Sequence, residues 1–227
     1  MTAAATEPIT TPEHTPSAAQ PSPLRMSYEA YLAWEHEGGL AEWVDGEVIL
    51  HMSASIVHQR VVDFLNRVLG LFVSITGAGV VLSAPAAMRA IPGGNAREPD
   101  LFFLATEHLT RLTESALEGP ADLVVEVISD DSVMRDRDTK FHEYERGGIR
   151  EYWLLDPRPN RQRADFYVRD ERGRYQPVPL GLDDIYRSTV LPAFWLNTAW
   201  LWAEQPDPLR ALAQIVGTER LLAALTA

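Results

Sequence analysis

Apolar residues recur every three or four positions between Ser55 and about Ile75, through Val57, Val61, Phe64, Val68 and Phe72. That spacing predicts one long amphipathic helix. Elsewhere the apolar runs are short. AEWVDGEVILHM reads as two strands about Asp45-Gly46, a dipeptide suited to a tight hairpin. GVVLS, AAMRAI and PDLFFLA predict further strands, and GPADLVVEVIS holds a run, Leu123 to Ile128, that looks buried on both faces. A polar helical stretch is expected around 106–117, and a charged helix from about Ser132 to Arg146 closed by Gly147-Gly148. EYWLLD is another strand, ended by Pro157, and ADFYV and RYQPV flank DERG as a hairpin. LNTAWLWAE and DPLRALAQIVGTERLLAAL read as helices. Near the start, Ser27 caps a short helix that Gly38-Gly39 stop.

Residues 1–24 hold five of the sixteen prolines and almost no large apolar groups, so a disordered tail is expected there. The body, 25–205, reads as one α/β domain, and 206–227 as a helical extension. The chain of 227 residues is long enough to bury its own core. It has no cysteine, which removes disulfides, thiolate nucleophiles and Cys-based metal sites and fits a reducing compartment. No apolar run approaches the length of a membrane span and no secretory h-region stands before Arg25, so a cytoplasmic location away from membranes is expected.

Charge sharpens the picture. Twenty basic residues against 32 acidic give a net charge of −12, which generally repels nucleic acid unless a basic surface or a cation offsets the acids. One such surface is suggested between Pro157 and Arg174, where six arginines face three acids. Of all the basic residues, only Lys140 is a lysine; a compact, deprotonatable ammonium at that one place is not interchangeable with a guanidinium.

Phosphate-binding and zinc-protease motifs and nucleophile elbows are absent. What remains is a set of acids on strands. Asp100 opens a strand after Pro99, and Glu126 lies in the most apolar strand, where an unpaired carboxylate costs several kcal/mol. Two acids on neighbouring central strands suit a hard divalent cation. The stretches EWVDGEVI, SASIVHQR, EPDLFF, PADLVVEVIS and DRDTKFHEYERGGIREYWLLDP, in this order, resemble the PD-(D/E)xK nuclease superfamily and, more closely, its Uma-type family.

That resemblance implies a restriction-endonuclease-like fold: a mixed central sheet flanked by helices, with an N-terminal β-hairpin. It implies an endonuclease dependent on Mg²⁺ or Mn²⁺ and acting on nucleic acid, DNA above all, and by analogy a homodimer. Carried over by position, Asp100 and Glu126 are metal ligands with the carbonyl of Val127. Ile128 stands where the usual lysine would be, and Lys140 on the following helix takes its role. Glu42, His58 and Tyr144 match further family positions. Each residue also has a plainer reading. Asp100 can start a strand, Glu126 can pair with an arginine, and Asp136 and Lys140 form an i,i+4 surface pair. His58 can be a core histidine, Glu42 and Asp45 can flank a turn, and Tyr144 can be core. The alternative function is an idle member of the fold retained for binding or assembly.

Overall fold

A computed structural model describes residues 23–35, 39–51, 55–130 and 132–226. The expected tail and Gly38 lie outside these residues, apart from the tail's last two positions. There β1 (Leu24–Arg25) begins and pairs with β3 (Glu47–Leu50), which also pairs with β2 (Ala41–Val44). The hairpin turns on Asp45 and Gly46, whose φ angles are 50° and 83°. A two-residue turn of matching twist requires positive φ at both positions. Between β1 and β2, Ser27 caps α1 (Tyr28–Leu32), which ends well short of the glycines expected to stop it. Trp43 and Ala96 exchange backbone hydrogen bonds at 2.9 Å, tying this small sheet to the segment that leads into the main one.

The long helix is α2 (Ile56–Thr76), capped by the Ser55 hydroxyl and ended by Gly77 at φ 66°. After it come β4 (Gly79–Ser83), β5 (Ala87–Arg89), β6 (Leu101–Ala105), β7 (Ala116–Glu118) and β8 (Leu123–Val127). Then follow α3 (Phe141–Gly147), β9 (Glu151–Asp156), β10 (Arg163–Arg169), β11 (Tyr175–Pro177), β12 (Ile185–Arg187), β13 (Trp195–Asn197), α4 (Pro208–Val216) and α5 (Thr218–Ala224). The main sheet is mixed, in the order β11-β10-β9-β8-β6-β4; β8 and β9 run parallel and the other pairs antiparallel.

Alternation along the central strands divides the core. Leu101 and Phe103 of β6, with Leu123, Val125 and Val127 of β8, face α2. On α2 itself Val61, Phe64, Leu65, Val68, Leu69, Phe72 and Val73 are buried. Seven such side chains contribute roughly 10–20 kcal/mol before conformational entropy is subtracted. Val57, expected on this stripe, is exposed instead. On the opposite face Phe102, Leu104, Val124 and Leu154 pack with Tyr144 and Tyr152. Ala211 and Leu212 of α4 join the α2-side core.

Three elements differ from the pattern-based expectation. Residues 106–117 are a 3₁₀ turn, Thr106–Arg111, followed by β7, because Ala116–Glu118 pairs in parallel with β5. LNTAWLWAE forms β13 and a 3₁₀ turn, Thr198–Trp202, its strand held by β12. The charged helix opens as a π-helical turn, Arg135–Lys140, before α3 continues it to Gly148 at φ 89°. Tertiary pairing outweighs local propensity in the first two cases.

Candidate active site

Strand register is what brings the acids together. Leu101 faces Val125 across the antiparallel β6–β8 pair. One residue further, the same register sets Asp100 against Glu126, and both line one cavity. The Asp100 carboxylate is fixed from two sides. Its Oδ2 accepts from the Val127 N–H at 2.7 Å, and its Oδ1 lies 3.2 Å from His58 Nε2. Glu126 Oε1 accepts from the Tyr144 hydroxyl at 2.7 Å and from Lys140 Nζ at 2.9 Å. Those two donors use both lone pairs of that oxygen.

Lys140, 3 % exposed, is the hub. Its Nζ lies 2.8 Å from Glu42 Oε1 and 3.6 Å from Asp136 Oδ1, besides the contact to Glu126. The hairpin supplies Glu42, whose Oε2 accepts from Arg97 Nη1 at 3.0 Å and lies 3.2 Å from His51 Nε2. Arg97 continues to Glu143 of α3 at 2.7 Å. A chain of buried charges thus runs from β2 through the segment before β6 to α3.

These side chains surround a cavity of about 40 Å³. Its lining includes Glu42, His51, His58, Glu98, Asp100, Glu126, Val127, Ser132, Arg135, Asp136 and Lys140. Burial opposes the charged form of Lys140, but Glu126, Glu42 and Asp136 outweigh it and hold the ammonium. Lys140 is therefore a fixed positive charge here, not a free base. Burial pushes the Glu126 carboxyl up, to about 8, with Lys140 opposing and Asp136, Asp100 and Glu42 adding to the rise. Burial would also raise Glu42, but Lys140, His51 and Arg97 hold it well below the usual carboxylate range. The imidazolium of His58 is disfavoured by burial, yet Asp100, Asp136 and the Val127 backbone raise it above its ordinary value.

A divalent cation fits this donor set in one particular way. No three His, Asp or Glu side chains among the described residues form a ready-made cage. Mg²⁺ does not need one, since it commonly takes one or two carboxylates and completes its shell with water or substrate phosphate. Glu126 and Asp100 bring carboxylate oxygens to the same cavity, and 40 Å³ accommodates an ion with one or two waters.

Asp100, Glu126, Val127, Lys140, Glu42 and His58, the residues singled out from sequence, all line this one cavity, and Tyr144 supports it from behind. Asp45 sits apart in the hairpin turn. Lys140 and Asp136 are not a surface pair: both side chains are buried and face inward. His51, Arg97, Glu98 and Asp136 were not identified as site residues. Of these, only Asp136 carried a signal, its i,i+4 spacing from the sole lysine. Three of the six arginines of the basic hairpin pair with acids of the protein itself. Arg158 pairs with Asp156, Arg163 with Asp165 and Arg174 with Glu145, while Arg169 donates to the Glu145 carbonyl.

The model of the Uma2 family, described as "Putative restriction endonuclease", matches residues 28–199. The chain belongs to the Uma2 family. No curated protein matches it. The fold of this Uma2 member is similar to a crystal structure from Anabaena variabilis ATCC 29413, described as "a putative nuclease belonging to DUF820". The TM-score is 0.63 at 14% identity, over 78% of this chain and 97% of that one. The matched span includes every residue of the cavity. For this Uma2 member the likeness establishes a nuclease-type fold with a mixed sheet between helices. No helix among the described residues is long and apolar enough to cross a membrane.

Proposed function

We propose that this Uma2 member is a Mg²⁺-dependent endonuclease that hydrolyses phosphodiester bonds in nucleic acid, with DNA as its substrate and a homodimer as its cutting form. The observation that carries the reading is the meeting of Asp100, Glu126 and Lys140 around one small cavity, from two strands and a helix far apart in sequence. Asp100 and Glu126, with the Val127 carbonyl, would hold the cation, which supplies Lewis acidity toward the phosphate and lowers the pKa of bound water.

The chain's own residues do the rest. Lys140, kept as an ammonium, faces the phosphate and stabilises the charge that develops on its oxygens. Glu42 fixes the lysine from the other side and is itself fixed by Arg97. His58 orients Asp100, leaving that carboxylate little freedom to turn. Tyr144 does the same for Glu126. An ammonium held by Glu42 and Glu126 has no lone pair with which to take a proton from water, so the lysine acts through charge and position.

Cleavage of supercoiled plasmid, linear duplex, single-stranded DNA and RNA, each with Mg²⁺ or Mn²⁺, tests the proposal. Wild type, Asp100→Ala and Lys140→Ala are purified in parallel. Metal-dependent cutting of DNA by wild type, lost in both variants, is the expected result. Equal residual cutting by all three would mark a contaminant, and no cutting on any substrate would turn the reading to the idle binding module.

A further inference from the structure

Asp136 has no part in the reading above, yet it is built into the same cavity. Its side chain is 2 % exposed, and Oδ1 is buried without a hydrogen-bond partner. The nearest cationic atom to that oxygen is Lys140 Nζ at 3.6 Å, with Arg135 Nε at 3.9 Å. An unsatisfied buried carboxylate oxygen is expensive, so its retention asks for a reason.

The backbone holds Asp136 firmly in place. Its N–H donates to the Ser132 carbonyl at 2.9 Å, and its own carbonyl accepts from the Tyr152 hydroxyl at 3.1 Å. Asp136 and Lys140 lie on the π-helical turn Arg135–Lys140, a distortion often found at functional sites. The ammonium therefore has two close carboxylates, Glu42 and Glu126, and a third a short swing away.

Glu126 cannot serve Lys140 and a divalent cation equally. A cation on its carboxylate draws electron density from Oε1 and repels the ammonium beside it. We propose that Asp136 is a positioning residue for Lys140. With a cation on Glu126, Asp136 Oδ1, 3.6 Å from Nζ, would take over that contact and hold the lysine toward the phosphate. This rests on the nuclease reading of the site. Asp136 is assigned to the lysine because Lys140 Nζ is the nearest cationic atom to its unpartnered oxygen.

The sequence makes a direct test possible, since Lys140 is the sole lysine among 227 residues. Full-length protein labelled with ¹⁵N and ¹³C in lysine alone gives one side-chain ammonium signal, and its proton exchange with water reports how well the group is held. Spectra are taken without Mg²⁺ and at saturation, with binding followed by calorimetry. In wild type the ammonium signal is expected under both conditions, shifted by Mg²⁺. In Asp136→Asn it is expected without Mg²⁺, where Glu42 and Glu126 suffice, and lost to fast exchange with Mg²⁺. Cleavage should fall roughly 10–100-fold, as for outer supporting residues of metal sites, and Asp136→Glu should restore the signal with Mg²⁺.

A signal in Asp136→Asn that responds to Mg²⁺ as wild type does overturns the proposal and leaves the nuclease reading standing. Absence of Mg²⁺ binding by wild type removes that reading and this proposal together. Should the asparagine variant fail to fold, the glutamate variant decides, and loss of its signal with Mg²⁺ counts against Asp136.

Discussion

Replacing Lys140 by methionine keeps most of its length and removes its charge. Three carboxylates stand within 4 Å of the ammonium, at 2.8, 2.9 and 3.6 Å. Removing one partner of a buried ion pair typically costs about 3–5 kcal/mol, because the remaining charge is left uncompensated. That is a large part of the roughly 5–15 kcal/mol that holds a domain folded. At about 2–4 °C per kcal/mol for a chain of this size, the melting temperature should fall by roughly 6–20 °C at neutral pH.

The pH dependence has a definite sign. Without the ammonium, the buried carboxyls of Glu126 and Asp136, already raised by burial, rise further above their unfolded values. Raised groups contribute stability below the unfolded pKa and lose it as pH rises through the folded pKa. Glu126 already lies near 8 with the lysine present. The deficit of Lys140→Met relative to wild type should therefore be small near pH 5 and grow toward pH 8. Urea denaturation followed by the fluorescence of the six tryptophans measures it across that range. A deficit under 1 kcal/mol at pH 8, or one that grows as pH falls, refutes the reasoning.

Other outcomes follow from the same geometry. Lys140→Arg should abolish cleavage while changing stability less than Lys140→Met, because a guanidinium keeps the charge but fits poorly among three carboxylates in a cavity of about 40 Å³; equal cleavage by the arginine variant would count against a requirement for a compact ammonium. Arg97→Met should cost about 3–5 kcal/mol in chemical denaturation by leaving Glu42 and Glu143 without their guanidinium, and a cost near zero would mean the hairpin docks without that link. Leu212→Ala should cost about 2–5 kcal/mol, since the side chain is fully buried against the α2-side core. Gly79→Ala should destabilise severely, as a Cβ there would lie 2.0 Å from the Leu104 carbonyl oxygen; a wild-type melting temperature would contradict the described strand pairing.

Much of the fold is written in local pattern. The α2 helix has its cap, its stripe and its glycine stop within one contiguous stretch, and the Asp45-Gly46 turn needs only its own two φ angles. Strands β6, β8 and β9 announce themselves as apolar runs because both faces are covered. What misled was structure fixed from a distance. β7 and β13 exist because β5 and β12 offer them edges, and a single segment shows nothing of its partner. The site divides in the same way. Asp100, Glu126 and Lys140 stood out because they break an apolar strand or a compositional rule. Arg97 and His51 did not, for an arginine or a histidine between strands looks ordinary until folding places it against Glu42. Asp136 was weighed as a surface partner of Lys140, which the spacing alone permits; only the packing of the π-helical turn shows both facing inward. The basic hairpin is the reverse case, since part of its net positive charge in sequence is met by Asp156 and Glu145, which the fold brings to it.

The central claim is that Asp100 and Glu126 form a divalent-cation site, and Mg²⁺ or Mn²⁺ binding by calorimetry and thermal melting tests it most directly. Wild type should bind the cation and melt higher with it, by an amount equivalent to about 1.4 kcal/mol at ten times the Kd. Asp100→Ala and Glu126→Gln should fold, bind weakly and show little of that stabilisation. A cation response in both variants equal to that of wild type would contradict the account.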